Sequence, residues 1–142
     1  MIQHVWSVLG QFISIDKDAN MASIINVIEE ITIIGNPSKD QPTVISLELL
    51  SLWCRGQDDN PVSGMMRAYY VGPIEGHSSD ISLPITLEKN RFHRTRIRAG
   101  VVPIFVPGMY SFIVEYKVDG SQVWEHAARV PFYVNFVTSP NK

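Results

Sequence analysis

The sequence predicts an all-β protein: a single antiparallel two-layer β-sandwich of about eight strands. Three observations carry that expectation. Apolar residues recur at every second position in most segments, which is the period of a strand buried on one face. Clusters rich in Gly, Pro, Asn and Asp interrupt those segments at short intervals. No segment combines a 3.6-residue apolar period with good helix formers, so nothing supplies the crossover helices that a parallel α/β sheet requires.

Taken in order, "VWSVLGQFISI" and "MASIINVIEEITII" read as strands on either side of the turn "DKDAN". Residues 21–34 are dense in Ile, Val and Thr, whose branched side chains are stiff at χ1 and favour strand over helix. "TVISLELLSLWCR" follows "GNPSKDQP", "MMRAYYVGPI" follows "GQDDNPVSG", and "ISLPITLE" follows "EGHSSD". "RFHRTRIRAGVVPIF" then leads to "VPGMYSFIVEYKVDG". Here Pro107 presets φ and Gly108 accepts the positive φ of a sharp turn. From Tyr110 the alternation is regular: Tyr110, Phe112, Val114, Tyr116 and Val118 share one face. Asp119-Gly120 offers a tight turn into a partner strand, with Trp124, Ala128, Val130, Phe132, Val134 and Phe136 in its apolar register, so residues 106–137 read as a β-hairpin. The predicted core of this hairpin is Tyr110, Phe112, Val114, Tyr116, Trp124, Val130, Phe132 and Val134.

Length and composition set the outer limits. A chain of 142 residues suits one domain, placed at 1–138 with a short flexible tail at 139–142. Hydrophobic residues at 45% and charged residues at 18% describe an ordered globular chain, and a net charge of −2 gives no global attraction to nucleic acid or anionic membrane. The first residues lack a basic segment, a cleavage site or an unbroken apolar run, so no signal peptide and no membrane association is expected. Cys54 is the single cysteine, which fits a reducing compartment and a cytoplasmic location.

The segments "FISIDKDANMASIINVIEEITI" and "VPGMYSFIVEYKVDG" together resemble a group of small uncharacterised bacterial β-sandwich proteins of immunoglobulin-like or C2-like shape. The resemblance implies that fold and no activity. It also suggests that the Tyr110 hydroxyl bonds back to the backbone, as tyrosines before a terminal hairpin do in immunoglobulin-like modules, while the second cysteine of antibody-type domains is missing.

No catalytic constellation assembles from the sequence, and the chain is expected not to be an enzyme. Cys54 needs a histidine beside it in space to act as a nucleophile. His4, His77, His93 and His126 lack the short spacings of zinc sites, and His126 falls in the apolar register of its strand. No nucleophile elbow or phosphate-binding glycine loop is present. "DKDAN" places Asp16, Asp18 and Asn20 as an EF-hand loop begins, but Met21 and Val27 occupy the positions where glycine and glutamate are required. An Asx-stabilised turn accounts for the same residues, even with Asp58-Asp59-Asn60 as a second loop, so no metal and no cofactor is expected.

Two binding features remain. Between residues 89 and 98, Lys89, Arg91, Arg94, Arg96 and Arg98 gather, and the last three form a cationic ridge about 13 Å long if the segment is a strand. It can bind a polyanion or nucleic acid, with Phe92 or His93 stacking on a base, or pair with carboxylates such as Glu115 and Glu125; pairing is the favoured expectation. In "TVISLELLSLWC", Ile45, Leu47, Leu49 and Trp53 take the inward register, which leaves Val44, Leu50, Leu52 and Cys54 facing out. The residues around Ile24, Ile28 and Ile34 repeat that excess. A crossing loop or a bulge can cover such faces; otherwise they mark an interface. The expected function is therefore non-enzymatic protein binding or self-assembly through Val44, Leu50 and Leu52, with a homo-oligomer or another protein as partner and polyanion binding along the ridge as the alternative.

Overall fold

The computed structural model describes residues 1–56, 60–74, 78 and 80–138. Among them lie nine strands and no helix: β1 (Ile2–Asp16), β2 (Met21–Val27), β3 (Glu30–Ile34), β4 (Thr43–Arg55), β5 (Val62–Val71), β6 (Ile81–Leu87), β7 (Phe92–Ile104), β8 (Gly108–Val118) and β9 (Glu125–Val137). No helix is thus long and apolar enough to cross a membrane. A four-stranded sheet has the order β2-β1-β4-β7, and a five-stranded sheet has the order β3-β9-β8-β5-β6.

The count exceeds the expected eight because residues 21–34 form two strands. Asn26 takes φ +55° near the end of β2, a conformation Asn tolerates better than most residues. The Ile28 amide then donates to the Leu9 carbonyl of β1, whereas the Glu29 carbonyl accepts from the Tyr133 amide of β9. The chain therefore changes sheets between two adjacent residues. Because it crosses without reversing, β3 lies parallel to β9, from Glu30↔Tyr133 to Ile34↔Val137. The expectation of an antiparallel structure is corrected at this one pair; the other ladders are antiparallel.

The two sheets enclose one apolar cluster. Leu47, Leu49 and Trp53 enter it from β4, Met66 and Ile85 from β5 and β6, and Tyr110, Phe112, Val114, Phe132 and Val134 from the β8–β9 pair. Phe132 stacks on Tyr110 and on Phe112, with ring centroids 5.5 and 6.1 Å apart. Gly108 precedes this run at φ +132°, as the sequence predicts, and a Cβ there would stand 2.8 Å from Pro73 Cγ. The Tyr110 hydroxyl donates to the Val106 carbonyl at 2.8 Å, pinning β8 to the turn that delivers it.

The far end of the hairpin departs from the predicted register. The Val118 carbonyl accepts from the Ser121 amide, so a turn does form over Asp119-Gly120, but pairing resumes only at Tyr116↔Glu125. Val114 then faces Ala128 while Glu115 faces His126, which leaves Ala127 as an extra residue in β9. One extra residue exchanges the two faces of a strand. Val130, Phe132 and Val134 keep the predicted inward face, Val130 only partly buried. Beyond the bulge His126 is exposed, and Trp124 lies on the outer face with the Arg67 guanidinium 4.2 Å above its ring. The placement of Trp124 and His126 in the core is corrected accordingly.

The first hairpin gives the four-stranded sheet its shape. β1 pairs with β4 from Ile2 to Gly10 and with β2 from Gly10 to Asp16, so Gly10 is the pivot between two partners. A Cβ on Gly10 would meet Ile24 Cγ2 at 2.6 Å. Past the pivot the hairpin curls back across the outer face of β4 and β7: the Ile13 amide donates to the Glu48 carboxylate, and Arg94 of β7 donates to Asn20 at the hairpin tip. Leu50 and Ile13 are both 0% exposed, although neither belongs to the main cluster. They form a second, smaller core on the back of the sheet.

Burial of Phe112 between the sheets sets a stability expectation. Phe112→Ala should lower the free energy of unfolding by about 3 to 5 kcal/mol in a denaturant titration, through lost burial and the cavity left behind. A loss below about 1 kcal/mol would place Phe112 outside a packed core.

Candidate functional site

The ridge on β7 is where the sequence placed its charge, and the backbone explains its form. Thr95 and Ile97 point inward and are buried, so Arg94, Arg96 and Arg98 must share the outer face. Their carboxylate partner is neither Glu115 nor Glu125. It is Glu48 of β4, 7% exposed, which accepts from Arg96 Nη2 at 3.0 Å and Arg98 Nε at 2.9 Å. Burial alone would push the Glu48 carboxyl up. The hydrogen bonds from Arg96 and the Ile13 amide, with the charges of Arg96 and Arg98, outweigh it and hold the carboxyl below its ordinary range. Glu115 pairs instead with Arg67 at 2.8 Å, while Glu125 lies opposite Tyr116 and adds to the effect of burial in raising the Tyr116 pKa. Glu48 was missed as a partner although "TVISLELLSLWC" holds no other charged residue. That isolation was the available signal, since a charge in an apolar strand needs a partner.

Arg94 has a different environment on the same face. It donates from Nη1 to Asn20 Oδ1 at 3.1 Å and from Nη2 to the Asn20 carbonyl at 2.8 Å. Asn20 presents both atoms because it holds φ +54° at the turn. The turn itself is the expected Asx structure, with Asp16 Oδ1 accepting from the amides of Asp18 and Ala19. Between this tip and the start of β7 opens a cleft of about 640 Å³, lined by Asn20, Leu52, Asn90, Arg91, Phe92 and Arg94 among others. Lys89 and Arg91 are exposed just ahead of β7. Asp58, Asp59, His77 and the expected tail at 139–142 lie outside the described residues.

The remaining polar candidates are distributed along the four-stranded sheet, with His4, His93 and Cys54 half-buried. His4 Nε2 lies 2.7 Å from Ser7 Oγ, which lies 2.7 Å from Ser51 Oγ. Trp53 Nε1 donates to Thr95 Oγ1 at 2.9 Å, and His4 meets the Trp53 ring edge-on at 5.2 Å. Ser7, Ser51 and Thr95 are cross-strand neighbours, so the chain of hydroxyls is a ladder across β1, β4 and β7. His93 Nδ1 accepts the Thr86 amide of β6 at 2.8 Å, which ties the edges of the two sheets together. Burial lowers the pKa of both histidines, with His126 adding to the effect at His4 and a backbone bond to Trp6 opposing it. The Cys54 thiol donates to Gln3 Oε1 at 3.6 Å.

The apolar surface lies elsewhere than expected. Leu50 is fully buried under the first hairpin and Leu52 is half-buried, so the interface assigned to them is corrected; Val44 stays exposed. Covering β4 uses the hairpin face that carries Ile13, Ile15, Ala22 and Ile24. The opposite face leaves the cross-strand pair Phe12 and Ile25 at 50% and 48% exposure, with Val27 beside them at 55%. A groove of about 720 Å³ continues from Phe12 and Val27 to Ile28, Ile31 and Ile45. β2 is also a sheet edge and carries neither charge nor proline. The other three terminal strands in the two sheet orders carry one or the other: the arginines of β7, Pro84 of β6 and Glu30 of β3.

No family model and no curated protein matches this chain. Among solved structures, a β-glucosidase from Erythrobacter marinus aligns over 94% of this chain and 15% of its own, with 9% identity and a TM-score of 0.42. The chain thus spans a small fraction of that enzyme's length, and a likeness of this size assigns neither an activity nor a substrate.

Two outcomes follow from the titrating groups. Glu48→Gln should destabilise the protein by about 3 kcal/mol, because Arg96 loses its partner while Arg98 can relax into water. The contribution of Glu48 is complete above the unfolded carboxyl pKa and disappears as pH falls through the lower folded value, so the gap between variant and wild type should close in acid. A gap independent of pH would contradict the pairing. His4 and His93 act in the same direction at higher pH. Their folded pKa values lie below the ordinary histidine value, so stability they confer is present above that ordinary value and is lost as pH falls through the lower folded ones. His93→Gln should flatten that part of the stability profile; an unchanged slope would refute its role.

Proposed function

We propose that this protein is a non-enzymatic binding module that pairs with a second copy of itself through β2 and the apolar hairpin face beside it. One observation carries the reading: β2 is the terminal strand of its sheet without charge or proline, and Phe12, Ile25 and Val27 continue it as exposed apolar surface. An unprotected edge presents unpaired amides and carbonyls to another strand. Twofold pairing of β2 with β2 satisfies those groups and covers the same patch on both chains. Asn26, with its positive φ, limits the regular part to Met21–Ile25, and the groove at Ile28, Ile31 and Ile45 extends the contact. A stable dimer needs at least about 1,000 Å² buried in total.

The immunoglobulin-like reading belongs with this proposal. Taking β4 and β7 as strands B and E, and β6, β5, β8 and β9 as C′, C, F and G, matches the B-E and G-F-C-C′ neighbours of a variable-type domain, while β2 has no counterpart there and no described strand stands where D would pair with E. Tyr110 at the start of β8, bonded to Val106, supports the mapping as a tyrosine corner, with Phe112 two residues on where an antibody domain has cysteine. A cytoplasmic setting fits the lone, half-buried thiol of Cys54. Polyanion binding along residues 89–98 ranks second, because Arg96 and Arg98 already share Glu48.

Light scattering on the purified protein should give the dimer mass at micromolar concentration. Ile25→Lys should give a folded monomer whose thermal midpoint no longer rises with protein concentration, since Ile25 is exposed within one copy and a lysine there is costly only when a second chain buries it. A wild-type monomer at high micromolar concentration would overturn the proposal, and so would a dimer that Ile25→Lys leaves intact.

A further inference from the structure

We infer that the cleft between the β1–β2 turn and the start of β7 binds a small ligand that carries a phosphate next to a planar ring, of about nucleoside monophosphate size. The cleft is separate from the edge proposed for self-association. The decisive comparison is among three arginines on one strand face. Arg96 and Arg98 are held by the Glu48 carboxylate, which cancels much of their charge. Arg94 is held instead by two neutral oxygens of Asn20. Among the described residues it makes no ion pair. An arginine oriented by neutral acceptors keeps its full charge and loses little freedom when an anion arrives, which is the preorganisation a phosphate site requires.

The surroundings agree with that chemistry. Arg91 lines the same cleft and Lys89 is close in sequence, whereas no described carboxylate lines it. Asp16 is in the adjacent turn, but its Oδ1 is turned to the amides of Asp18 and Ala19. Phe92 is 54% exposed at the rim, an apolar ring kept in water where it can stack on a flat partner. Asn20 and Asn90 supply amides, and Leu52 an apolar wall. A volume of about 640 Å³ falls within the range of small-molecule sites. The shared feature of the ligand is the phosphate; the ring is what Phe92 selects for.

Amide chemical shifts would be followed while the full chain is titrated with adenosine monophosphate, inorganic phosphate and adenosine. Adenosine monophosphate should shift Asn20 and residues 90 to 94, inorganic phosphate should shift the same amides more weakly, and adenosine alone should have little effect. Arg94→Gln should abolish the response to both phosphates while the thermal midpoint shows the fold intact. Phe92→Ala should weaken adenosine monophosphate by about tenfold and leave inorganic phosphate unchanged, as the loss of one stacking contact implies. Should Arg94→Gln fail to fold, the Phe92→Ala comparison decides by itself. No shifts at millimolar adenosine monophosphate, shifts that persist in folded Arg94→Gln, or equal affinity in Phe92→Ala would each overturn the inference.

Discussion

Burial of β4 on both faces is the constraint on which the rest of the structure depends. Its inward side chains, Leu47, Leu49 and Trp53, join the core between the sheets. Its outward side chains, Glu48 and Leu50, are buried as well, and only a second layer can cover them. The hairpin of β1 and β2 supplies that layer by pivoting at Gly10 and lying back across the sheet. A carboxylate inside such a layer is tolerable only when it is paired and hydrogen-bonded. Glu48 meets that condition with three donors from two strands, β1 and β7, so one side chain fixes the hairpin against β4 and β7 at once.

This arrangement decides which surfaces remain for partners. Each face of the hairpin is apolar at some positions, and covering Leu50 uses one of them. The other is turned to solvent beside an edge strand that has no charge to repel a neighbour. On β7 the same logic separates the arginines. The two nearest Glu48 complete its ion pairs, while the one that reaches the hairpin tip is oriented by Asn20 without being neutralised. The proposed docking edge and the proposed anion cleft thus both trace to one folded-over hairpin.

Much of the fold was legible in the sequence wherever a two-residue period persists. The inward register of Leu47, Leu49 and Trp53, the hairpin from Tyr110 to Val134 and the positive φ of Gly108 are all local consequences of residue type. The bulge at Ala127 was not legible, because a small apolar residue gives no mark of being unpaired, and the misplacement of Trp124 and His126 followed from it. The parallel pairing of β3 depends on a sheet change at Ile28 and Glu29 that only contacts with Leu9 and Tyr133 define. The site was half legible. The arginines and Phe92 stand together in sequence, but Glu48 and Asn20 reach them from more than 40 residues away.

The central functional claim is that β2 is a docking edge whose outward amides are satisfied by another chain. Hydrogen exchange measured at several protein concentrations tests it most directly, since an amide that bonds only across an interface is protected only when the dimer is populated. The account predicts that protection of Met21–Ile25 rises with concentration while the β8 amides do not change. Protection of β2 that is the same from nanomolar to high micromolar protein would contradict it.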